Sequence, residues 1–467
     1  MPNLLTILNL KIMKKFYFVL VAVLFTAYAC ERMDFASDNE VDDNPENIVD
    51  GGKISLKKAM SNADFVYANI GDADSRVRKI QSVEVLTSSD LNGELVCTRY
   101  SSAMEETESD EPLAYVVNYE DNAGYAILAA NEDLPPIIGL GDNGNFSAAE
   151  FVNYTQNGIE DLSPAKEVQY AVINNSLRLP SVNIGGVGYM CVDTTLVLKC
   201  MPLVPTKWHQ SEPYNYYAPI DDNNEKCVAG CVPVAGAQAF ASLCYHHNWR
   251  PTTQLSQEYL VDWYTINRII YNDEFEYNAN DYSDNALAVA SLIRAVGEDV
   301  DADYGGNETS AYTPSLVNTC NRLGMSSASF VNLNNNANEI TDNLFDMIVE
   351  NNYPVVTKAR RDKGDGTTVG HAFVLDGWLR LQYSQLYFST SENAPSQVVG
   401  DRFDNRQLII DLVHTNFGWG GLCDGYYLPD AFDLTKQKYS EYAEENDMPA
   451  TMDRVYDLNI GYLLYEL

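Results

Sequence analysis

The sequence predicts an α+β protein whose larger, C-terminal part places helices before strands. Segments with helical apolar patterns come first, and segments with apolar or alternating strand patterns follow. The helices are expected at 232–247, 284–296 and 338–350, and the strands at 354–357, 371–375, 384–388, 407–416 and 426–428. Segregation of helices and strands along a chain is typical of the α+β class. The 467 residues, of which 46% are hydrophobic, suffice for two or three globular domains.

A smaller α+β domain is predicted in front of this part. Helical patterns occur at 54–70 and 166–177. Strand patterns occur at 83–86, 114–119 and 124–130, the last two joined by a turn at 120–123. The stretch 180–188, rich in Gly, Pro and Ser, indicates an exposed connection. We therefore assign 53–200 to this domain with a linker, and 201–467 to the large domain.

The N-terminus has the features of an export signal. A basic start and a short apolar run lead to Ala27-Tyr-Ala29, so 1–30 is interpreted as a signal peptide. Cys30 after these small residues resembles a lipobox, in which the cysteine becomes lipidated. Residues 31–52 are acidic and would form a solvated linker. The expected location is the outer membrane or cell surface; simple cleavage after Ala29 would instead give a secreted protein.

The net charge argues against certain binding partners, and the cysteine spacing argues against a zinc site. The net charge of −36 argues against nucleic acid and anionic membranes, so a membrane contact is expected only through the N-terminal lipid. Cys227 and Cys231 have no second Cys or His pair at zinc-site spacing. No metal and no cofactor are therefore expected. The pairing of the nine cysteines stays open.

Cys231 is the candidate nucleophile. It stands at the predicted start of a helix, where free N–H groups and the partial positive charge stabilise a thiolate. Gly230, just before it, leaves room for a substrate to approach the sulfur.

His371 and Asn416 are the candidate partners of this thiol. His371 follows Gly370 and lies 140 residues (371 − 231) after Cys231. The amide oxygen of Asn416 can accept a hydrogen bond from an imidazole N–H, which would fix the tautomer of the ring. His414 is a rival base, since it would share a strand face with Asn416. The order Cys, His, Asn is that of papain-like thiol peptidases.

Further candidates surround these residues. Gln210 precedes Cys231 by 21 residues (231 − 210), and its amide N–H could complete an oxyanion hole with the main-chain N–H of Cys231. Phe417 and Trp419 lie in a glycine-rich run after Asn416, and Trp419 would shield the His–Asn contact from water.

These segments resemble the streptopain family of papain-like cysteine peptidases. The segment from Gly230 to Gln238 is similar to the family's Gly-Cys-Val-Ala-Thr-Ala-x-Ala-Gln, and Gly370 to Gly377 matches Gly-His-Ala-Phe-Val-x-Asp-Gly. The segment His414 to Gly421 is similar to His-Val-Asn-Trp-Gly-Trp-Gly-Gly. Residues 125–146 resemble the inhibitory propeptide of the family, so the resemblance extends over about 55–460.

The resemblance implies a papain-like fold, with a helical part and an antiparallel sheet or barrel part, behind an inhibitory propeptide domain. It implies that Cys231 is the nucleophile, His371 the general base and acid, Asn416 the orienting residue and Gln210 an oxyanion donor. His414 would then be a strand residue beside the site. It also implies an endopeptidase made as a zymogen, acting on proteins or peptides and activated by a self-cleavage within 180–205.

Three departures from the family pattern keep other functions open. Phe417 replaces a tryptophan, Pro233 and Gly236 alter the nucleophile helix, and 378–404 is longer than expected and would form an extra hairpin near the cleft. One alternative is a surface binding protein that has lost turnover. The other is a transglutaminase-like thiol acyltransferase, against which Asn416 counts because such enzymes usually use an aspartate there.

Overall fold

The computed structural model describes residues 49–50, 53–70, 78–92, 98–99, 112–131, 134–157, 162–177, 187–332, 342–362, 368–389, 407–429 and 460–467. The predicted signal peptide, Cys30 and most of the acidic linker lie outside the described residues. All described residues fall within one unit, residues 48–467. Among them, no helix has the length and apolar character that crossing a bilayer requires.

Helices and strands are segregated as the sequence predicts. The helices are α1 (Leu56–Ile70), α2 (Ser88–Asn92), α3 (Ala148–Asn157), α4 (Pro164–Ser176), α5 (Cys231–His246), α6 (Trp263–Tyr271), α7 (Asp284–Asp299) and α8 (Leu316–Arg322). The strands are β1 (Val49–Asp50), β2 (Lys53–Ile54), β3 (Ile80–Thr87), β4 (Thr98–Arg99), β5 (Pro112–Tyr119), β6 (Tyr125–Ala129), β7 (Ile137–Gly141), β8 (Val187–Cys200), β9 (Ser327–Asn332), β10 (Val355–Asp362), β11 (Thr368–Ser389), β12 (Gln407–Asn416), β13 (Gly425–Tyr427) and β14 (Gly461–Glu466).

The α+β prediction is confirmed, with a helical part packed on a large antiparallel sheet. Of the helix expected at 338–350, residues 342–345 are α-helical and Asp346–Glu350 form a π-helical turn, while 338–341 lie outside the described residues.

One sheet runs through both predicted domains. Its order is β4-β3-β5-β6-β7-β13-β12-β11-β10-β14-β9, with β8 added beside β11. Strand β7 of the N-terminal domain pairs with β13 of the C-terminal domain, and Gly141 lies opposite Gly425. A side chain at Gly425 would collide with the carbonyl oxygen of Leu140. We call the β7–β13 pairing the seam; its hydrogen bonds make the N-terminal domain a direct extension of the C-terminal sheet.

The central helix α5 is apolar on nearly all sides, which is why it is buried. It packs against α6 and α7 on one side and β11 on another. Pro233 lies in its first turn, where a missing N–H leaves no hydrogen bond unmade. A Cβ at Gly236 would lie 3.1 Å from Leu316 and 3.2 Å from Val296. The close approach of Leu316 and Val296 therefore explains why residue 236 is a glycine, although a glycine inside a helix by itself lowers the stability of the helix.

Strand β11 joins two strands that the sequence predicts separately, 371–375 and 384–388. A register shift between Leu375 and Gly377 separates its two halves. The described part of the insertion, 378–389, extends β11 and pairs with β12 on one edge and β8 on the other. Arg380 and Asp411 tie β11 to β12 through two hydrogen bonds of 2.7 and 2.8 Å. The insertion therefore lengthens β11 and supplies the edge on which β8 pairs, while 390–406 lie outside the described residues.

Of the exposed connection predicted at 180–188, residues 180–186 lie outside the described residues, and 187–188 begin strand β8. Residues 187–200 pair with β11 from Ser389 back to Trp378. Helix α1 contacts the same strand, since Thr194 Oγ1 donates to Asn62 Oδ1 at 3.0 Å and Lys199 Nζ to the carbonyl of Asn69 at 2.7 Å. The end of the segment assigned to the N-terminal domain thus lies on the C-terminal sheet, a pairing that local Gly and Pro content cannot reveal.

The seam generates a stability prediction at Tyr427. Its buried hydroxyl donates to the carbonyl of Cys423 at 2.6 Å, accepts from Gln169 Nε2 at 2.9 Å and contacts Tyr125 Oη at 2.9 Å. Tyr427→Phe leaves buried polar groups without this partner, so we expect a loss of about 1–3 kcal/mol in the free energy of unfolding. Thermal melting of the whole chain measures the effect.

Tyr426→Phe is the matched control for this prediction. Among the described residues the buried hydroxyl of Tyr426 has no hydrogen-bond partner, so its removal should leave the melting temperature nearly unchanged. Equal effects of the two substitutions would contradict the role assigned to the Tyr427 hydroxyl.

Candidate active site

Cys231 is the first residue of α5, as the sequence predicts. The preceding Gly230 has a φ of 92°, and a Cβ there would approach Thr309 to 2.8 Å. Both facts favour glycine at this position and fix the angle at which the chain enters the helix. The half-buried thiol therefore lies at a helix N-terminus, where main-chain N–H groups are unpaired by the helix itself.

The surroundings of the thiol act on its pKa in opposite directions. Burial raises the pKa of Cys231, and hydrogen bonds from the main-chain N–H groups of Ala372, Val232 and Cys231 itself lower it. Ala372 directly follows His371 on β11, so the strand that carries the histidine motif lies against the nucleophile. The fold thus brings together two motifs that are 140 residues apart (371 − 231).

His371 is buried and is held by one ring nitrogen. Its Nε2 lies 2.7 Å from the carbonyl oxygen of Phe417. A carbonyl can only accept, so Nε2 carries the proton in the neutral ring and Nδ1 keeps its lone pair. Nδ1 has no hydrogen-bond partner among the described residues. Burial lowers the pKa of His371 to about 4, although the bond to Phe417 partly opposes this shift.

Asn416 does not contact the imidazole in the way the sequence suggests. Its Oδ1 accepts from Gln238 Nε2 and from the main-chain N–H of Gly418, both at 3.0 Å. Its Nδ2 donates to the carbonyl of Thr206 at 2.8 Å. The orienting contact expected of the Asn416 amide is made instead by the Phe417 carbonyl, one residue further along the chain.

Aromatic rings cover the imidazole. The ring of Phe417 is nearly parallel to that of His371, with centroids 6.3 Å apart and an interplanar angle of 13°. Trp419 lies at the same centroid distance, 6.3 Å, and Phe373 at 6.2 Å. The rings of Phe417 and Trp419 therefore both lie beside the imidazole of His371.

Gln210 lies in the segment beside the nucleophile. Its carbonyl accepts a hydrogen bond of 2.8 Å from the main-chain N–H of Ala229, two residues before Cys231. The residue is half-buried. Gly370, before the histidine, is exposed, and a Cβ there would meet only the Ala359 carbonyl, at 3.5 Å, and the Arg360 side chain, at 3.9 Å.

His414 lies in a different electrostatic environment from His371. Its Nδ1 is 2.6 Å from Asp376 Oδ1 and its Nε2 is 2.9 Å from Asp142 Oδ2. Burial lowers the pKa of His414, but the two carboxylates outweigh this and raise it well above the usual value. Both ring nitrogens are occupied, so with the N-terminal domain in place His414 favours the charged form and is unsuited to act as a base.

Gln238 is a site residue to which the sequence pattern assigned no role. It lies seven residues after Cys231 (238 − 231), on the same helix, and is fully buried. Its Oε1 accepts from Thr206 Oγ1 at 2.9 Å and from the main-chain N–H of Trp208 at 3.2 Å. The signal in the sequence is a long amide among apolar neighbours, since a buried amide needs partners.

Asp424 holds the loop that follows β12. Its Oδ1 accepts from the main-chain N–H of Phe417 at 2.7 Å. Burial raises the pKa of this carboxyl to about 7, although the hydrogen bond and the charge of His414 lower it. Within the part of the chain that the structure describes, no group of three or more His, Cys, Asp or Glu could hold a metal ion.

Two segments of the chain match known protein families. Residues 208–427 match the Peptidase C10 family, and residues 74–162 match the Spi protease inhibitor. The first range contains Cys231, His371 and Asn416, and the second contains β3, β5, β6, β7 and α3.

Comparison with individual proteins gives distant relatives. Streptopain from Streptococcus pyogenes is 22% identical over 344 residues, which are 68% of this chain and 74% of streptopain. The thiol protease/hemagglutinin PrtT of Porphyromonas gingivalis is 21% identical over 365 residues, which are 72% of this chain but only 36% of that protein.

Two solved structures from Prevotella intermedia are also similar. A fragment of prointerpain A has a TM-score of 0.45 and 18% identity, covering 77% of this chain and 96% of the fragment. Active interpain A, a cysteine protease, has a TM-score of 0.37 and 20% identity, covering 58% of this chain and 98% of interpain A. From the two family matches we conclude that residues 208–427 belong to the C10 family of cysteine peptidases and that residues 74–162 form a preceding inhibitor segment of the Spi type.

Proposed function

We propose that this chain is the precursor of an exported cysteine endopeptidase in which Cys231 is the nucleophile and His371 the general base and acid. The observation that carries the proposal is the state of His371. Its Nε2 is anchored to the Phe417 carbonyl, and its Nδ1 is unpartnered among the described residues, on a strand whose next N–H contacts the thiol. An unpaired imidazole lone pair on a strand that contacts a thiol at a helix N-terminus is suited to nucleophilic catalysis.

The reaction would follow the thioester route. The Cys231 thiol transfers its proton to His371 Nδ1, and the thiolate attacks the peptide carbonyl carbon. The imidazolium returns that proton to the departing amine, which leaves a thioester on Cys231. Water, deprotonated by His371, then attacks the thioester, releases the acid and restores the thiol. The main-chain N–H of Cys231 and the amide of Gln210 are assigned to the oxyanion.

The N-terminal domain, 53–200, is assigned the role of inhibitor, and the precursor would be latent. Burial raises the pKa of Cys231 and lowers that of His371 to about 4, so the uncharged pair is favoured in the precursor. Contacts across the seam support tight binding of this domain. Asp142 N–H donates to the carbonyl of Asp424 at 2.9 Å, and Asn143 Nδ2 donates to that of Gly421 at 2.9 Å.

Self-cleavage is assigned to 180–205, on either side of the paired strand β8. Met201, which is 42% exposed, follows the strand directly, whereas Leu203 and Val204 are anchored to Asp376 by hydrogen bonds of 2.7 and 2.8 Å. Because a peptidase needs an accessible, extended segment, the bond cleaved should lie outside β8 itself. Lipid anchoring through Cys30 is part of the same proposal for the exported form.

The replacement of tryptophan by Phe417 does not favour the binding-protein alternative. The hydrogen bond from His371 to residue 417 is accepted by the main-chain oxygen, which every residue supplies, and the Phe417 ring is stacked beside the imidazole. Turnover therefore remains the function that the geometry supports best.

Cys231→Ala tests the function directly. The chain without residues 1–30 is incubated with reductant, and shortening is followed by gel together with casein hydrolysis. We expect the wild type to shorten to a fragment that begins near residue 200 and then to digest casein, whereas Cys231→Ala does neither. A wild type that stays inactive after tryptic removal of the N-terminal domain would refute the proposal.

Gln210→Ala tests the oxyanion assignment. Loss of one oxyanion donor should lower kcat about 100- to 1,000-fold with little change in KM. The exposed loop glutamine Gln257 supplies the control, because Gln257→Ala should leave both constants unchanged. Steady-state kinetics on a peptide substrate after removal of the N-terminal domain distinguish the two; equal kcat values for Gln210→Ala and wild type would reject the assignment.

Asp142→Asn tests the hold of the N-terminal domain. His414 lowers the pKa of Asp142, although burial acts in the opposite direction. The ion pair is therefore present above the ordinary carboxyl range and is lost only as pH falls through the lowered pKa of Asp142. Because the Asp142 side chain is 39% exposed, removing the ion pair should weaken the binding of the N-terminal domain by about 1 kcal/mol. This corresponds to a factor of about five in the equilibrium for release of the domain.

The measurement is the rate of self-cleavage at pH 7, which should rise several-fold in Asp142→Asn. Asp121→Asn is the matched control, since Asp121 is an exposed aspartate of the same domain. An unchanged rate in Asp142→Asn would show that the ion pair does not hold the domain.

A further inference from the structure

We propose that Gln238 is a positioning residue for the base of this peptidase. Through Asn416 it fixes the direction of the Phe417 carbonyl, and thereby the tautomer and orientation of His371. The inference rests on the proposed function, and it adds to it a residue that never touches the substrate. Gln238 lies on the nucleophile helix α5, so the helix that carries the thiol also sets the geometry of its base.

The orientation of the Gln238 amide is fixed by donors on one side. The main-chain N–H of Trp208, at 3.2 Å, can only donate, and the hydroxyl of Thr206 lies 2.9 Å from the same oxygen. The oxygen of Gln238 must therefore face Trp208 and Thr206. Its Nε2 is left to face Asn416, and it does so at 3.0 Å.

The amide of Asn416 is fixed from both sides. Gln238 Nε2 can only donate, so Asn416 presents Oδ1 to it. The carbonyl of Thr206 can only accept, and it lies 2.8 Å from Nδ2 of Asn416. Rotation of either amide by 180° would place donor against donor and acceptor against acceptor, which costs the burial penalty of each unpaired group.

The fixed oxygen of Asn416 in turn sets the next peptide. It accepts the N–H of Gly418 at 3.0 Å. In a planar trans peptide the N–H and the preceding C=O point in opposite directions, so the carbonyl of Phe417 is turned away from Asn416. That carbonyl meets His371 Nε2 at 2.7 Å. Asp424 holds the preceding N–H of Phe417 at 2.7 Å, so the peptides on both sides of Phe417 are fixed.

The consequence is a defined tautomer. With the Phe417 carbonyl in place, Nε2 carries the proton and Nδ1 is the free base that the thiol requires. Without the Gln238 donor, Asn416 Oδ1 keeps only the Gly418 N–H, so the Asn416 amide and the Phe417–Gly418 peptide are held less firmly and the imidazole is freer to turn or to take the other tautomer.

Two variants test this role. Gln238→Met keeps a long side chain but removes the donor. Gln238→Glu keeps the shape, and its carboxyl can donate to Asn416 only when protonated. Ser242→Ala is the matched control on the same helix, since the buried Ser242 hydroxyl donates to the Leu203 carbonyl at 2.7 Å and has no path to the base.

The readouts are kcat and KM on a peptide substrate, after identical tryptic removal of the N-terminal domain. The second readout is the rate of iodoacetamide modification of Cys231 against pH, resolved from the other cysteines by mass spectrometry.

For Gln238→Met we expect a fall of about 10- to 100-fold in kcat with KM nearly unchanged, and slower modification near neutral pH. For Gln238→Glu the ratio of its kcat to the wild-type value should rise as pH falls from 8 to about 5. Ser242→Ala should keep the wild-type kcat even where its melting temperature is lower.

A folded Gln238→Met with wild-type kcat and modification profile would overturn the inference, as would a Gln238→Glu ratio that does not change with pH. Failure of both variants to fold would assign Gln238 to the fold alone and overturn it too. If the wild type hydrolyses no peptide, the proposed function fails, whereas the modification profile still reports on the Cys231–His371 pair.

Discussion

The hydrogen bond from His371 Nε2 to the Phe417 carbonyl, at 2.7 Å, determines what the site can do. A carbonyl accepts and never donates, so this single contact assigns the proton to one ring nitrogen and leaves the other as a base. The direction of that carbonyl depends on a chain of amides whose two ends are main-chain groups of Thr206 and Trp208. Main-chain groups cannot exchange donor for acceptor, so the fold determines which end of each side-chain amide in this series donates and which accepts.

The carbonyl of Phe417 lies in the loop after β12. Strand β13, which pairs with β7 of the N-terminal domain, directly follows that loop. Within a few residues of Phe417, Asp424 holds the Phe417 N–H with its side chain and accepts the Asp142 N–H with its carbonyl. The hydroxyl of Tyr427 then contacts Gln169 and Tyr125. The N-terminal domain is therefore bound to the segment whose carbonyl contacts His371, so its release must change the surroundings of that segment while the hydrogen bonds of Gln238 and Asn416 can persist.

Much of this arrangement could be predicted from local sequence. Small residues before Cys231 and an apolar run after it predict a buried helix that begins at the thiol, and the apolar strand after His371 is found as predicted. Pairings between distant segments could not be predicted, because register across β8 and β11 or across the seam depends on tertiary contacts. The hydrogen bond expected between Asn416 and the imidazole is not made, because Gln238 Nε2 and the Gly418 N–H occupy the Asn416 oxygen.

The two histidines on neighbouring strands show why only one is suited to act as a base. Both are buried, and burial alone favours the neutral ring. His371 has a carbonyl as its hydrogen-bond partner, which adds no charge, so its pKa falls to about 4. His414 has Asp376 and Asp142 at its two nitrogens, and their negative charges reverse the effect of burial. A group that exchanges protons during a reaction must be able to exist without one; the neutral partner of His371 permits this, whereas in the precursor the two carboxylates around His414 do not. Asn416 and Phe417, which bring no charge to the base, are therefore consistent with a site that must form its ion pair only when the thiol gives up its proton.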